Sequence, residues 1–152
     1  MRLALLVALA VSVAGCDLFS EVDPPIEREP TTYAVTFEAT WSAATHPEAF
    51  PPDPHFSRLT GATHALDVSL WRVGAPASDG VRAMAETGST TGLRAEVEGL
   101  GGRAAYVEGD PLRPSPGSAG AVLTVTEARP AATVVSMLAP SPDWFVGVDG
   151  LD

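Results

Sequence analysis

The stretch ATVVSMLAPSPDWFVGVDGLD, residues 132–152, contains the two clearest strand patterns of the chain. Its halves, ATVVSML and WFVGVD, are rich in β-branched and aromatic residues, and the turn-forming segment APSPD separates them. Short apolar runs bounded by turn formers are typical of β-strands. The stretch therefore predicts two strands joined by a turn.

Further strands are predicted upstream of this pair. Residues 31–42, TTYAVTFEATWS, alternate apolar and polar side chains with a period of two, which predicts a half-buried strand. Strands are also predicted within THALDVSLWRV (63–73), RAAYVEGD (103–110) and AVLTVTEA (121–128). Residues 43–62 contain several prolines and no periodicity, so they predict a long loop.

Helix is predicted only between residues 78 and 102. Ser78 or Asp79 is expected to cap a first short helix that Gly88 ends, and a second is expected from about Thr91 to Gly99. Short strands, frequent turn signals and little helix favour a mainly β fold, an antiparallel β-sandwich or barrel. The helical segment would be a short insertion at one end.

The first sixteen residues, MRLALLVALAVSVAGC, have the pattern of an export signal. Arg2 precedes an apolar run that is too short to span a bilayer. The run ends in Val13-Ala14-Gly15-Cys16, which resembles the bacterial lipobox. Residues 1–15 are therefore predicted to be a lipoprotein signal peptide, and Cys16 the lipidated new N-terminus. An ordinary signal peptide followed by an unrelated cysteine is the alternative.

The composition restricts the possible partners and the redox chemistry. Residues 16–32 are rich in acidic residues and proline, which predicts an extended tether between the lipid anchor and a folded domain. The whole chain has a net charge of −10, which disfavours nucleic acid and suits cations or a basic protein; solubility alone is the alternative explanation. Because Cys16 is the only cysteine, no intramolecular disulfide can form.

Catalytic signatures are absent from the sequence. It contains no G-x-S-x-G, P-loop, H-E-x-x-H or C-x-x-C motif. Glu96 and Glu98 are two residues apart on a predicted helix and so do not share a face. His46, His55 and His64 are three potential zinc ligands, but loop histidines more often bond to the backbone.

Residues 33–152 resemble the spondin N-terminal domain of extracellular matrix proteins and its bacterial relatives. The segments that carry the resemblance are YAVTFEATWS, HPEAFPPDPHFSRLTGATH, SLWRVG, AMAETG and VSMLAPSPDWFVGVDGLD, in this order. The resemblance implies a β-sandwich and a binding or adhesion module that is not an enzyme.

Asp143 is the candidate metal ligand. From the residues alone, its carboxylate either caps the turn before the last strand or binds a hard cation such as calcium. The resemblance implies a divalent-cation site, with calcium as the expected ion and Asp143 as one ligand. Thr124 occupies the position of a second family ligand, a glutamate, and a neutral hydroxyl is a weaker ligand. Glu127 would replace it only through a bulge, since it lies on the opposite strand face.

A third ligand of the family, an aspartate, lies beyond residue 152, and the family domain normally continues for several strands. Residues 33–152 are therefore expected to be either a naturally short domain or a truncated one that lacks its last strands. Missing strands would expose sheet edges and apolar faces.

The leading functional hypothesis is an exported, lipid-anchored binding or adhesion module of the cell envelope. Its domain would face the periplasm or the exterior, bind a protein or glycan, and be stabilised by calcium. The alternatives are a secreted hydrolase acting on glycan or lipid and a purely structural envelope lipoprotein.

Overall fold

The computed structural model describes residues 28–152. The predicted signal peptide, Cys16 and most of the predicted tether lie outside the described residues. The tether was predicted to extend to residue 32, but the first strand already begins at Thr31.

The described residues form a mainly β structure with antiparallel strand pairing and two short α-helices. The strands are β1 (Thr31–Ala39), β2 (His55–Phe56), β3 (Thr60–His64), β4 (Ala104–Glu108), β5 (Gly117–Val125), β6 (Ala131–Ala139) and β7 (Phe145–Leu151). The helices are α1 (Asp79–Thr87) and α2 (Thr91–Gly99), and a 3-10 turn covers Gly101–Arg103. The predicted mainly β, antiparallel fold class is confirmed.

Strand β6 is the centre of the larger sheet. It pairs with β3 along one edge and with β7 along the other, because both strands bond to the same part of β6. β4 pairs with the far side of β3, so the order across the sheet is β4, β3, β6, β7, and the two-residue strand β2 pairs with the end of β6 as the fifth strand. β1 and β5 form a separate two-stranded ribbon, in which Thr31 pairs with Val125 and Ala39 with Gly117.

The two faces of β6 are covered by different layers. Ala132 and Val134 join an apolar cluster with the ribbon, which includes Leu123. Val135, on the opposite face, packs in a second cluster with Met84 and other side chains from the two helices. The helices therefore cover a face of the sheet, whereas the sequence analysis had expected them at one end.

Both helices match their predicted bounds closely. The Ser78 hydroxyl accepts a hydrogen bond from the Val81 N–H, and Gly88 ends α1 with a φ of 71°, where a residue without a Cβ is favoured. Glu96 of α2 adds to the cap, because its carboxylate accepts from the Ser78 hydroxyl at 2.6 Å and from the Gly80 N–H at 2.7 Å. This contact ties the start of α1 to the middle of α2.

The strand predicted at residues 63–73 is wrong. The strand in this region is β3, which ends at His64, and Leu66 and Val73 beyond it are 71% and 87% exposed. Gly61 of β3 lies very close to β6, because a Cβ at this position would be 1.9 Å from the Thr133 carbonyl oxygen. Its pairing depends on this close approach, which hydrophobic periodicity does not show.

Candidate functional site

The turn between β6 and β7 is the best candidate for a functional site, and Ser141 holds its shape. The Ser141 hydroxyl donates to the Leu138 carbonyl and accepts from the Trp144 N–H at 3.2 Å. The Leu138 N–H donates to the Trp144 carbonyl at 2.9 Å, which closes the hairpin. Ser141 thus performs the turn capping that sequence reasoning considered for Asp143, and the Asp143 carboxylate lies at the surface.

Trp144 is the most prominent apolar feature of this turn. Its side chain is 66% exposed, which is unusual for so large an aromatic residue. It borders two shallow surface cavities of about 270 and 310 Å³. Trp41 and Pro142 line the first cavity, and Asp143 and Phe145 line the second. Sequence reasoning treated this tryptophan only as part of a strand; its place directly after a proline-rich turn was the available signal.

A buried polar chain anchors the far end of β7. The Thr133 hydroxyl lies 2.8 Å from Nε2 of His64 and 3.2 Å from a carboxylate oxygen of Asp149, and it accepts from the Gly150 N–H at 3.0 Å. Nδ1 of His64 faces the Ala65 carbonyl at 3.0 Å. Asp149 is exposed on β7, and its contact with Thr133 adds to the attachment of this strand.

The three histidines do not come together. His46 contacts Thr45, and Nδ1 of His55 lies 2.7 Å from the Asp53 carbonyl oxygen, while His64 is buried in the sheet. Backbone carbonyls therefore face two of the three imidazoles, which agrees with the alternative to zinc binding. Within residues 28–152 no three His, Cys, Asp or Glu side chains converge as metal ligands.

Thr124 and Asp143, the two positions considered for calcium, lie far apart. Thr124 pairs with Thr32 near the start of β1, and their hydroxyls are 3.0 Å apart. Asp143 follows Pro142, which lies beside Trp41, beyond the other end of β1. A strand rises about 3.3 Å per residue, so the length of β1 alone separates Thr124 from Asp143 by more than about 20 Å.

The described residues around Asp143 do not fit a preformed calcium cage. Calcium takes six to eight oxygen ligands, usually with several carboxylates among them. The hydroxyl of nearby Ser141 is already engaged with the backbone. A cation at Asp143 stays a prediction that rests on the family resemblance.

An apolar cleft runs between the ribbon and the outer part of the larger sheet. It has a volume of about 280 Å³. The side chains that line it come from β1, the β2–β3 link, β6 and β7, and include Val35, Phe37, Leu59, Val134, Val146 and Val148. Val148 is 41% exposed at its margin, so the cleft is accessible along β7.

The opposite edge of the sheet, at β4, has a polar network. Oε2 of Glu108 accepts from the Tyr106 hydroxyl at 2.8 Å, from Thr90 at 3.1 Å and from the Arg94 guanidinium at 3.1 Å. Arg94 also lies 4.1 Å above the Tyr106 ring, in a cation–π contact. The hydrogen bond from Tyr106 is the main reason that the pKa of Glu108 is lowered, and burial raises the pKa of Tyr106.

Comparison with known proteins identifies the family. The sequence model described as Spondin_N matches residues 31–152, which include every strand and helix of the structure. The chain belongs to the spondin N-terminal domain family.

Three relatives illustrate how far the similarity extends. Spondin-2 of Rattus norvegicus is 35% identical over 97% of this chain and 46% of its own length. Spondin-2 of Homo sapiens is 38% identical over 79% of the chain and 38% of its own length, and Spondin-1 of Gallus gallus is 34% identical over 79% and 16%. The chain thus spans less than half the length of these curated spondins. Among residues 28–152, no helix is long and apolar enough to cross a membrane.

Proposed function

We propose that this spondin-domain chain is an exported, lipid-anchored module that binds a protein or glycan at the cell envelope and is not an enzyme. The observation that carries the proposal is the position of the family's most specific string in this chain, PSPDWFVGV. It forms the β6–β7 turn, where Trp144 is 66% exposed and the Asp143 carboxylate is at the surface. Exposed aromatic residues with a polar neighbour are common at sites of molecular recognition.

The arrangement closest to a catalytic triad argues against the hydrolase alternative. His64, Thr133 and Asp149 form a hydrogen-bonded chain, but His64 is 1% and Thr133 0% exposed. A nucleophile and base must reach the bond that they attack. The contacts of Thr133 instead favour a structural role in fixing β7.

The lipid anchor is proposed at Cys16. Acylation there would hold the domain at the membrane surface, since each buried CH2 group of an acyl chain contributes about 0.8 kcal/mol to membrane binding. Fractionation of cells should find the wild-type chain with the membranes and a Cys16→Ala variant outside them. An equal distribution of the two chains would contradict lipidation.

Adhesion is tested by presenting the chain on a cell that lacks it and measuring attachment to surfaces coated with matrix protein or glycan. Attachment should increase, and it should disappear when residues 31–152 are replaced by an unrelated soluble domain on the same anchor. Equal attachment of cells that carry residues 31–152 and cells that carry the unrelated domain would contradict the binding proposal and favour the purely structural alternative.

A further inference from the structure

We propose that His64, Thr133 and Asp149 form a proton switch, which fastens the end of β7 to β6 when His64 is protonated and loosens it when His64 is neutral. The three side chains come from three strands of the larger sheet, β3, β6 and β7. The switch acts on the fold itself, and it would operate whatever the domain binds.

A β-bulge creates the place where this switch acts. Thr133 of β6 lies opposite two residues of β7, Asp149 and Gly150, where the register of the pair shifts. Gly150 has a φ of 61°, a conformation that glycine often provides at a bulge. A bulge interrupts the ladder of backbone hydrogen bonds, and the Gly150 N–H donates to the Thr133 hydroxyl at 3.0 Å. The end of β7 therefore depends on a side chain of β6.

The Thr133 hydroxyl has one hydrogen and two possible acceptors for it. Nε2 of His64 lies 2.8 Å away, and a carboxylate oxygen of Asp149 lies 3.2 Å away. The hydroxyl can bond to both at once only if one of them supplies a hydrogen of its own. Carboxyl groups in water are ionised above about pH 5, and Asp149 is exposed. His64 is thus the member that supplies the second hydrogen.

The other ring nitrogen of His64 determines which atom changes. Nδ1 lies 3.0 Å from the Ala65 carbonyl oxygen, which can only accept, so Nδ1 carries a hydrogen in both charge states. In the neutral ring, Nε2 is an acceptor and takes the Thr133 hydrogen, which leaves Asp149 without it. In the imidazolium, Nε2 donates to the Thr133 oxygen, and the hydroxyl hydrogen turns to Asp149.

Protonation of His64 therefore adds a hydrogen bond to the end of β7. The Thr133 hydroxyl then donates to Asp149 and accepts from Gly150 and His64, which uses its full capacity. His64 is 1% exposed, and burial disfavours a charged ring, so the negative charge of Asp149 is what offsets that cost. The added attachment is present at low pH and is lost as the pH rises and His64 releases its proton.

Other charged residues on segments next to His64 bond elsewhere or face solvent. Asp67, after β3, pairs with Arg103, before β4, at 2.7 Å, and both side chains are exposed. The complete set is Asp67, Arg94, Glu96, Glu98, Arg103 and Arg129. Within residues 28–152, Asp149 is the carboxylate that a shared hydroxyl joins to His64.

The first test follows His64 and the end of β7 together as the pH changes. Histidine is the side chain that ordinarily changes charge between about pH 5 and 8. NMR of the full chain in detergent, with isotopically labelled nitrogen, reports the protonation of the ring over this range, and His64→Gln identifies the signals of His64. Hydrogen exchange, corrected for its intrinsic pH dependence, measures the protection of the Gly150 amide. Protection should rise roughly tenfold as His64 is protonated, the effect of one added hydrogen bond to a charged group, and should stay constant in the β1–β5 ribbon.

Matched variants separate the switch from a general effect of pH. Asp149→Asn keeps the size of the side chain and removes its charge, and Thr133→Val removes the hydroxyl, so protection of Gly150 should lose most of its pH dependence in both. Asp152→Asn removes a charge at the same end of β7, and Thr133→Ser keeps a hydroxyl, so both should retain the pH dependence of wild type. Circular dichroism checks that all four variants remain folded.

Three results would overturn the proposal. The first is a His64 ring whose nitrogen signals do not change between about pH 5 and 8. The second is an equal pH dependence of Gly150 protection in wild type, Asp149→Asn and Thr133→Val. The third is an equal loss of this pH dependence in Asp149→Asn and Asp152→Asn, because the effect would then be one of general charge.

Discussion

The two edge strands of the larger sheet, β4 and β7, differ in how their exposed groups are satisfied. At β4, the Glu108 carboxylate accepts hydrogen bonds from Tyr106, Thr90 and Arg94, and Arg94 also covers the Tyr106 ring. At β7, the carboxylate of Asp143 is exposed, and Trp144 beside it is 66% exposed.

The difference shows how each edge disposes of its charge. Edge strands expose unpaired backbone groups, and proteins commonly cover or charge such edges. At β4, Arg94 of α2 forms an ion pair with Glu108, so the negative charge of Glu108 is neutralised within the chain. At β7, no ion pair is formed by Asp143, Asp149 or Asp152 within residues 28–152, so the negative charge of this edge is not neutralised by the described residues.

The largest expected effect comes from removing the aromatic residue at each edge. Tyr106→Ala should lower the free energy of unfolding by about 3 kcal/mol, because it removes packed ring surface and leaves Thr60, Glu108 and Arg94 without a shared partner. Trp144→Ala should cost less than about 1 kcal/mol, since most of its ring is already in water. Urea unfolding of both variants measures the difference.

Similar losses of stability in the two variants would break this comparison. They would mean that Trp144 supports the fold as much as Tyr106 does.

The next effect concerns the attachment of β7 to β6. Thr133→Val keeps the shape of the side chain but removes the hydroxyl that contacts His64, Asp149 and Gly150, and it should cost about 2 kcal/mol. Amide exchange should accelerate at the end of β7 and not in β4. Thr124→Val is the matched control, because Thr124 is exposed and bonds to Thr32, and it should cost less than about 0.5 kcal/mol.

Equal effects of the two threonine substitutions would contradict this prediction. If Thr124→Val destabilises the protein as much as Thr133→Val, the hydrogen bonds of Thr133 do not hold β7 against β6.

The helices and strands that the sequence predicts correctly are those that depend on residues close together in the chain. The bounds of α1 were predictable because Ser78 and Gly88 cap it, and α2 matches its predicted range. β6 and β7 were predictable from their β-branched and aromatic residues on either side of a proline-containing turn. β3 was placed too late in the chain, because its Gly61 is required by a close approach to Thr133, a contact between distant segments.

The candidate site was predicted in part for the same reason. The SPDW string drew attention to Asp143 at the β6–β7 turn, and a turn is a local feature. The polar chain from His64 through Thr133 to Asp149 joins three strands, and no spacing along the sequence indicates it. The alignment position of Thr124 in the sequence likewise does not show at which end of the β1–β5 ribbon the residue lies.

The pH dependence of stability should reveal the network at β4. Because hydrogen bonding lowers the pKa of Glu108 in the folded state, its contribution to stability is present above the unfolded-state pKa, near the ordinary glutamate value of 4.5, and is lost as the pH falls through the folded-state pKa. Acid unfolding of Glu108→Gln should therefore be less steep below about pH 4.5 than that of wild type.

Glu98→Gln is the matched control for this measurement, since Glu98 is exposed on α2. The stability of Glu98→Gln should fall with decreasing pH in the same way as that of wild type. An unchanged acid limb in Glu108→Gln would show that the hydrogen bonds to Glu108 do not persist in solution, and the contrast between the two edges would then be weaker than the structure indicates.

The smallest expected effect is that of calcium at the β6–β7 turn. One carboxylate, from Asp143, supports only weak binding, and a ligand present at its own Kd stabilises a protein by about 0.4 kcal/mol. Calcium should therefore raise the Tm of wild type slightly, and calorimetric titration should show a weaker response in Asp143→Ala. An equal response in the two chains would exclude Asp143 as a ligand.

Thr124→Glu sharpens this last measurement, because it restores the residue that the family resemblance places there. Since Thr124 bonds to Thr32 at the other end of the ribbon, an added carboxylate there should not strengthen calcium binding. If it does, the end of β5 lies nearer to Asp143 in solution than the structure shows. A cation at Asp143 would then have a second carboxylate ligand within reach.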